Sequence, residues 1–391
     1  MTTTLLPQIA PTADQINQTK AAIAAYVQRI DANPERRKGA YPYYLFHPPG
    51  QPILGTVMVF HGFSAKPHQM WRLADYLFRN GFNVYQPSIS GHTYINPAKN
   101  WCQIDLRPEI AEPLKQKIQQ DPVLQNYLAN LSNNSNNQVV RPSFMQRLAL
   151  MARLTELEPR LPEIILAIER DNDPNFDRYF VSSHLGYLTD ARDRLNELSS
   201  MPDPIYTAGL SVGGSVALAI AADQPQRIKR CVAYAPLLQI YGEDRRQYVE
   251  LAGPLDIQEL GWDPNLRFPV GALTAAARFG KTQVFNKAQR LRQTPTFMVL
   301  TENEDAADIE TNQKFFREIG GEGNGNYCYM YPRADLVPHP MVDPTEVSQG
   351  MSNHYWQTMY QETYRFLTTS KANLQNLRSL RQDPQLPQVS F

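Results

Sequence analysis

Residues 205–214 read Ile-Tyr-Thr-Ala-Gly-Leu-Ser-Val-Gly-Gly, an apolar run that ends on a serine set between glycines. Ile205–Leu210 has the unbroken apolar character of a strand buried on both faces, and Gly213–Ala222 that of a helix of small residues. Gly209-Leu210-Ser211-Val212-Gly213 therefore sits where a strand must turn sharply into a helix. A serine in such a turn takes strained backbone angles, and glycine two residues to either side leaves room for it. The consequence is an exposed Oγ at the strand end, above a helix N-terminus that favours developing negative charge. A glycine-rich turn of a nucleotide-binding crossover would also join strand to helix. It would need G-x-G-x-x-G spacing and a ribose-binding acid after the next strand, and both are missing. Ser211 is thus the candidate nucleophile.

Working outward, Thr56–Phe60 (TVMVF) is a second buried strand, and it ends abruptly at His61-Gly62-Phe63. An oxyanion needs two backbone N–H donors, one just after the nucleophile and one from a neighbouring loop. Val212 and Phe63 are the expected donors, and His61 reads as structural because it precedes the serine. Helix signals run from Met70 to Asn80 with Gly81 as the C-terminal cap, and Phe82–Gln86 follows as a strand. Strand, helix, strand at this spacing predicts a parallel crossover.

The same alternation resumes late in the chain. Helix is expected over Leu188–Leu198, strand over Arg230–Tyr234, strand over Thr296–Leu300, helix over Glu310–Ile319, strand over Tyr327–Tyr331 and helix over Tyr355–Leu367. At the front, Thr12–Ile30 has helical spacing, and Tyr41–Phe46 reads as an edge strand because of Pro42. Two irregular stretches interrupt this order. The first, 96–180, carries an Asn-rich tract at 130–138 and a helical stripe of Leu148, Met151, Leu154 and Leu157; the second spans 237–293. The expected class is α/β, a mostly parallel central sheet flanked by helices with two inserted helical segments. The expected boundaries are 1–95, 96–180, 181–236, 237–293, 294–370 and a tail from 371 to 391.

Composition narrows the function. Of 391 residues 42% are apolar, enough for a sizeable core, and 38 Lys+Arg balance 38 Asp+Glu. A net charge of zero gives no reason to expect nucleic acid or an anionic membrane surface as partner. No apolar run reaches the length of a membrane span, and the N-terminus lacks the pattern of a secretory leader. Three scattered cysteines without C-x-x-C spacing fit a reducing compartment, the cytoplasm, and neither a disulfide framework nor a zinc site. No cofactor or metal is expected.

The run His61-Gly62-Phe63, Met70, Leu73, Ala74, Leu77, Gly81, Val84, Pro87, Gly91-His92 resembles the carboxylesterase and monoacylglycerol-lipase branch of the α/β-hydrolases. The likeness covers 56–92, 188–236 and 296–367 and leaves out both inserts. It implies an acid after the strand Thr296–Leu300 and a histidine after the last strand. Counting along Thr301-Glu302-Asn303-Glu304-Asp305-Ala306-Ala307-Asp308 places the acid at Asp305, with Asp308, Glu302 and Glu304 as alternatives. Thr301-Glu302 stand where the branch has His-Gly. His339 is the expected base and His354 the alternative, although Pro338 replaces the glycine that usually precedes this histidine. The order Ser211, Asp305, His339 is that of this fold. The implied activity is hydrolysis of a carboxylic ester with an apolar or bulky group. The branch places a lid at 237–293, where Tyr241, Tyr248, Trp262, Phe268, Phe279 and Phe285 fall. A peptidase, which would need a lid carboxylate such as Asp256 or Glu259, a thioesterase and a non-catalytic binding protein are the other readings.

Overall fold

The computed structural model describes residues 8–126, 144–255, 258–260 and 266–382. The Asn-rich tract 130–138, Asp256 and Trp262 lie outside them. The chain divides into two compact units: 1–102, 184–243 and 276–391 form one, and 103–183 with 244–275 form the other.

The first unit holds a seven-stranded sheet. Its strands are β1 (Tyr43–Leu45), β2 (Thr56–Phe60), β3 (Asn83–Gln86), β4 (Ile205–Leu210), β5 (Ile228–Tyr234), β6 (Thr296–Thr301) and β7 (Tyr327–Tyr331), in spatial order β1-β3-β2-β4-β5-β6-β7. Only β1 runs antiparallel, paired along the edge with β3, as Pro42 suggested. Every residue of β2, β4 and β6 is buried, which is why these strands read as continuous apolar text. Helices α1 (Ala13–Asp31), α2 (Trp71–Arg79), α3 (Gly186–Glu197), α4 (Val212–Asp223), α5 (Ile309–Glu318) and α6 (Trp356–Thr369) belong to the same unit. Each lies within a few residues of its expected place.

Local chemistry sets the helix ends. Thr12 and Gln15 form a reciprocal capping box at the start of α1. Gly81, at φ 93°, closes α2: its N–H donates to Phe78 O at 3.0 Å and Phe82 N–H reaches Leu77 O at 3.1 Å, the Schellman arrangement. Asp308 caps α5 by accepting from Thr311 N–H. α4 is buried along almost its whole length; its small residues allow close approach to the sheet.

The second unit contains helices over Pro108–Gln120, Phe144–Leu157 and Leu161–Glu169 and two short ribbons, Ile104–Leu106 with Phe180–Ser182 and Gln258–Leu260 with Arg267–Pro269. Its own small core includes Leu106, Ile110, Leu114, Ile118, Ile164 and Phe180. The unit starts at 103 and resumes at 244, against expected inserts of 96–180 and 237–293. Residues 276–293 belong to the sheet unit because Gly280 lies so close to Leu237 O that an added Cβ would stand 2.0 Å from it. Ala288 and Leu291 are buried in the same stretch.

Candidate active site

Parallel strands send their C-terminal loops to one edge of the sheet, where α/β folds place their ligands. Four of these loops matter: that after β4 with Ser211, that after β2 with His61–Phe63, and the pair after β6 and β7.

Ser211 holds φ 57° and ψ −120°, a conformation that side chains other than glycine rarely adopt. Its N–H donates to Tyr234 O at 2.9 Å and its carbonyl accepts from Leu237 N–H at 3.0 Å, so the strained turn is held by neighbours. The flanking glycines are obligatory. A Cβ on Gly209 would lie 2.1 Å from Gly213 O, and one on Gly213 would lie 2.3 Å from His61 O. Val212 opens α4, among the N-terminal N–H groups that have no partner within a helix. The β2 loop comes alongside: a Cβ on Gly62 would be 3.8 Å from Ser211 Cβ.

His61 is fully buried and neutral, its pKa pulled down to about 3 by burial. Ile89 N–H donates to its Nε2 at 3.2 Å, so the proton is on Nδ1 and is donated to Gly62 O at 2.8 Å. Ser88 Oγ is 3.4 Å from Nε2, which is thus already occupied as an acceptor and is poorly placed to act as a base. His92 is also buried, stacked on Trp101 at 3.7 Å, with burial holding its pKa well down.

The four candidate acids go to four different partners. Glu302 Oε2 accepts from Arg333 N–H at 2.8 Å. Asp305 Oδ2 accepts from Gln349 Nε2 at 2.8 Å, on the exposed side of the loop. Asp308 caps α5. Glu304 lies against His339, with Oε1 2.5 Å from Nδ1. The same oxygen accepts from the N–H groups of Asp305, Ala306 and Ala307 at 3.2, 3.0 and 3.0 Å. The carboxylate beside His339 is therefore that of Glu304, and the expected Asp305 is turned to Gln349 instead. The register explains the difference. β6 extends through Thr301, whose Oγ1 donates to Val337 O at 2.6 Å, and Asn303 then bridges in parallel to Pro338. That bridge sets the next residue of each loop, Glu304 and His339, side by side. Counting the loop from Thr301 overshot by one residue.

The His339 side chain is 11% exposed. Burial pulls its pKa down, but the Glu304 carboxylate, with smaller help from Asp305 and Glu346, raises it above the ordinary value. His354 stands in another setting, with Nε2 3.3 Å from Ser352 Oγ just before α6. Among the described residues no group of three His, Cys, Asp or Glu has metal-ligating geometry, and no helix is long and apolar enough to cross a membrane.

A family model described as the alpha/beta hydrolase fold matches residues 55–255, just over half of the 391. No curated protein matches the chain. Among solved structures it is similar to that reported for LipS and LipT, two metagenome-derived lipolytic enzymes, at 14% identity over 84% of this chain and 98% of that one, TM-score 0.46. It is similar to a soluble variant of monoglyceride lipase from Saccharomyces cerevisiae at 12% identity over 82% and 88%, TM-score 0.46. The monoacylglycerol lipase of Paleococcus ferrophilus stands at 11% over 85% and 99%, TM-score 0.46. The sheet order, the strained serine turn and the span of the family match leave one assignment: the chain belongs to the alpha/beta hydrolase fold family.

Proposed function

We propose that the chain is a serine hydrolase that cleaves carboxylic esters through an acyl-enzyme, with Ser211 as nucleophile, His339 as base and Glu304 as the acid that orients it. The observation that carries this reading is the strained Ser211 backbone at the head of α4. Packing alone gives no reason to keep a non-glycine residue at φ 57° beneath two obligatory glycines.

As Oγ attacks the carbonyl carbon, its proton passes to the ring nitrogen of His339 that faces away from Glu304. The carboxylate fixes the Nδ1–H tautomer and stabilises the imidazolium. Phe63 and Val212 N–H groups receive the oxyanion. The alcohol leaves with the proton from His339, and water, deprotonated by the same nitrogen, releases the acid and free Ser211. A thioester would follow the same steps. The peptidase reading has less support, since Glu259 is paired with Arg245 at 2.9 Å. The aromatic residues Tyr241, Phe279 and Phe285 support an apolar acyl or alcohol group, and three free cysteines support a reducing location, the cytoplasm.

Labelling by a fluorophosphonate probe tests the proposal. Rapid, stoichiometric labelling of wild type with none of Ser211→Ala is expected. Equal labelling of both, or of neither, contradicts it.

A further inference from the structure

The loop after β2 is pinned at three points. Arg37 donates from Nη1 to Ala65 O and from Nη2 to Ser64 O, each at 3.0 Å. His61 Nδ1–H takes Gly62 O. Gly62 O and Phe63 N–H belong to one planar peptide and point in opposite directions, so fixing the first aims the second. The third pin is Gln69, whose Oε1 accepts from Gly62 N–H at 2.8 Å. Gly62 N–H is therefore consumed and is not an oxyanion donor.

Gln69 is in turn oriented. Its Nε2 donates to both carboxyl oxygens of Glu346 at 3.0 Å. Since Gly62 N–H can only donate, Oε1 must face it and Nε2 must face Glu346; the carboxyl group removes the flipped alternative. Glu346 lies seven residues beyond His339, and its charge acts on that ring. The other charged neighbour of Glu346 is Asp343, which is paired with Arg72 at 3.2 Å. One side chain thus joins the loop beside the nucleophile to the loop that carries the base.

Resting on the function proposed above, we infer that Gln69 and Glu346 are positioning residues for acyl transfer: Glu346 orients the Gln69 amide, and Gln69 holds the His61–Gly62 peptide, on which the attitude of the next peptide and its oxyanion-receiving Phe63 N–H depends. Neither touches substrate. The oxyanion exists only in the transition state, so their loss lowers kcat and leaves KM nearly unchanged.

The test uses the isosteric exchange. Gln69→Glu keeps an acceptor for Gly62 N–H but sets two carboxyl groups in contact. We expect kcat on a p-nitrophenyl ester to fall at least about tenfold at pH 8, with KM within about twofold, a fraction of the loss from deleting an oxyanion donor. The swap Gln69→Glu/Glu346→Gln restores a donor facing an acceptor and should return kcat to within about threefold of wild type. Gln69→Leu, which can do neither, should lose about ten- to a hundredfold in kcat. Thermal melts confirm that each variant is folded. Wild-type kcat in folded Gln69→Leu, or a swap no better than folded Gln69→Glu, overturns this inference while the hydrolase reading stands. A wild type that neither hydrolyses esters nor labels with fluorophosphonate overturns both.

Discussion

His61 and His339 each follow a parallel strand of the same sheet, and burial lowers the pKa of both. They end in opposite states. His61 meets a carbonyl on one nitrogen, a peptide N–H on the other and the Arg37 charge nearby, and the hydrogen bond to Gly62 O is too weak to offset desolvation. His339 meets Glu304, and the carboxylate more than offsets desolvation. Comparable burial therefore goes with a lowered pKa in one loop and a raised one in the other, and the partner decides the direction.

The largest expected effect separates His339 from His354. Ser211→Ala and His339→Ala should each lose about 10⁴ to 10⁶ in turnover. His354→Ala, in its different setting, should keep at least about a tenth of the activity. Swapped outcomes for the two histidines would break the comparison.

The pH profile sharpens it. His339 must be neutral to act, so kcat/KM for a neutral ester should rise with pH through a midpoint above the ordinary 6.5, because the folded-state pKa is raised. In Glu304→Gln the carboxylate is gone and desolvation, the largest single influence, is left to dominate. The midpoint should then fall below 6.5. An unmoved midpoint would mean that Glu304 is not what raises the pKa.

Glu346 gives a smaller effect, read on stability. Burial, the largest cause, raises its carboxyl from 4.5 to about 8. A raised folded-state value means that its contribution is fully present below pH 4.5 and is lost as pH rises through about 8. Glu346→Gln should therefore gain in melting temperature relative to wild type between pH 4.5 and 8. A difference independent of pH would show that the carboxyl titrates normally.

The smallest effect concerns the acyl group. If Tyr241, Phe279 and Phe285 enclose it, each added methylene contributes up to ~0.8 kcal/mol, a several-fold gain in kcat/KM per two-carbon step. A flat series from acetate to laurate, below the micelle concentrations, would exclude an apolar acyl site.

How much of this was legible beforehand depended on whether a single residue or a register carried the signal. The elbow was legible because only glycine fits at 209 and 213. The sheet strands were legible because burial on both faces makes them continuous apolar text. The acid loop was not, since four carboxylates in seven residues are chemically alike and a strand one residue longer brings Glu304, in place of Asp305, beside His339. The Gln69–Glu346 tie, with a separation of 277 residues, has no local signal at all. The unit boundaries shifted because packing of 276–293 against residue 237 is a tertiary fact.

The claim that Glu304 serves His339 is tested most directly by kcat/KM of Glu304→Gln and Asp305→Asn on one neutral ester at pH 8. The geometry predicts a loss of at least about a hundredfold for the first, as for a disturbed triad acid, and a value within about threefold of wild type for the second. A near-normal Glu304→Gln beside a crippled Asp305→Asn would contradict the account.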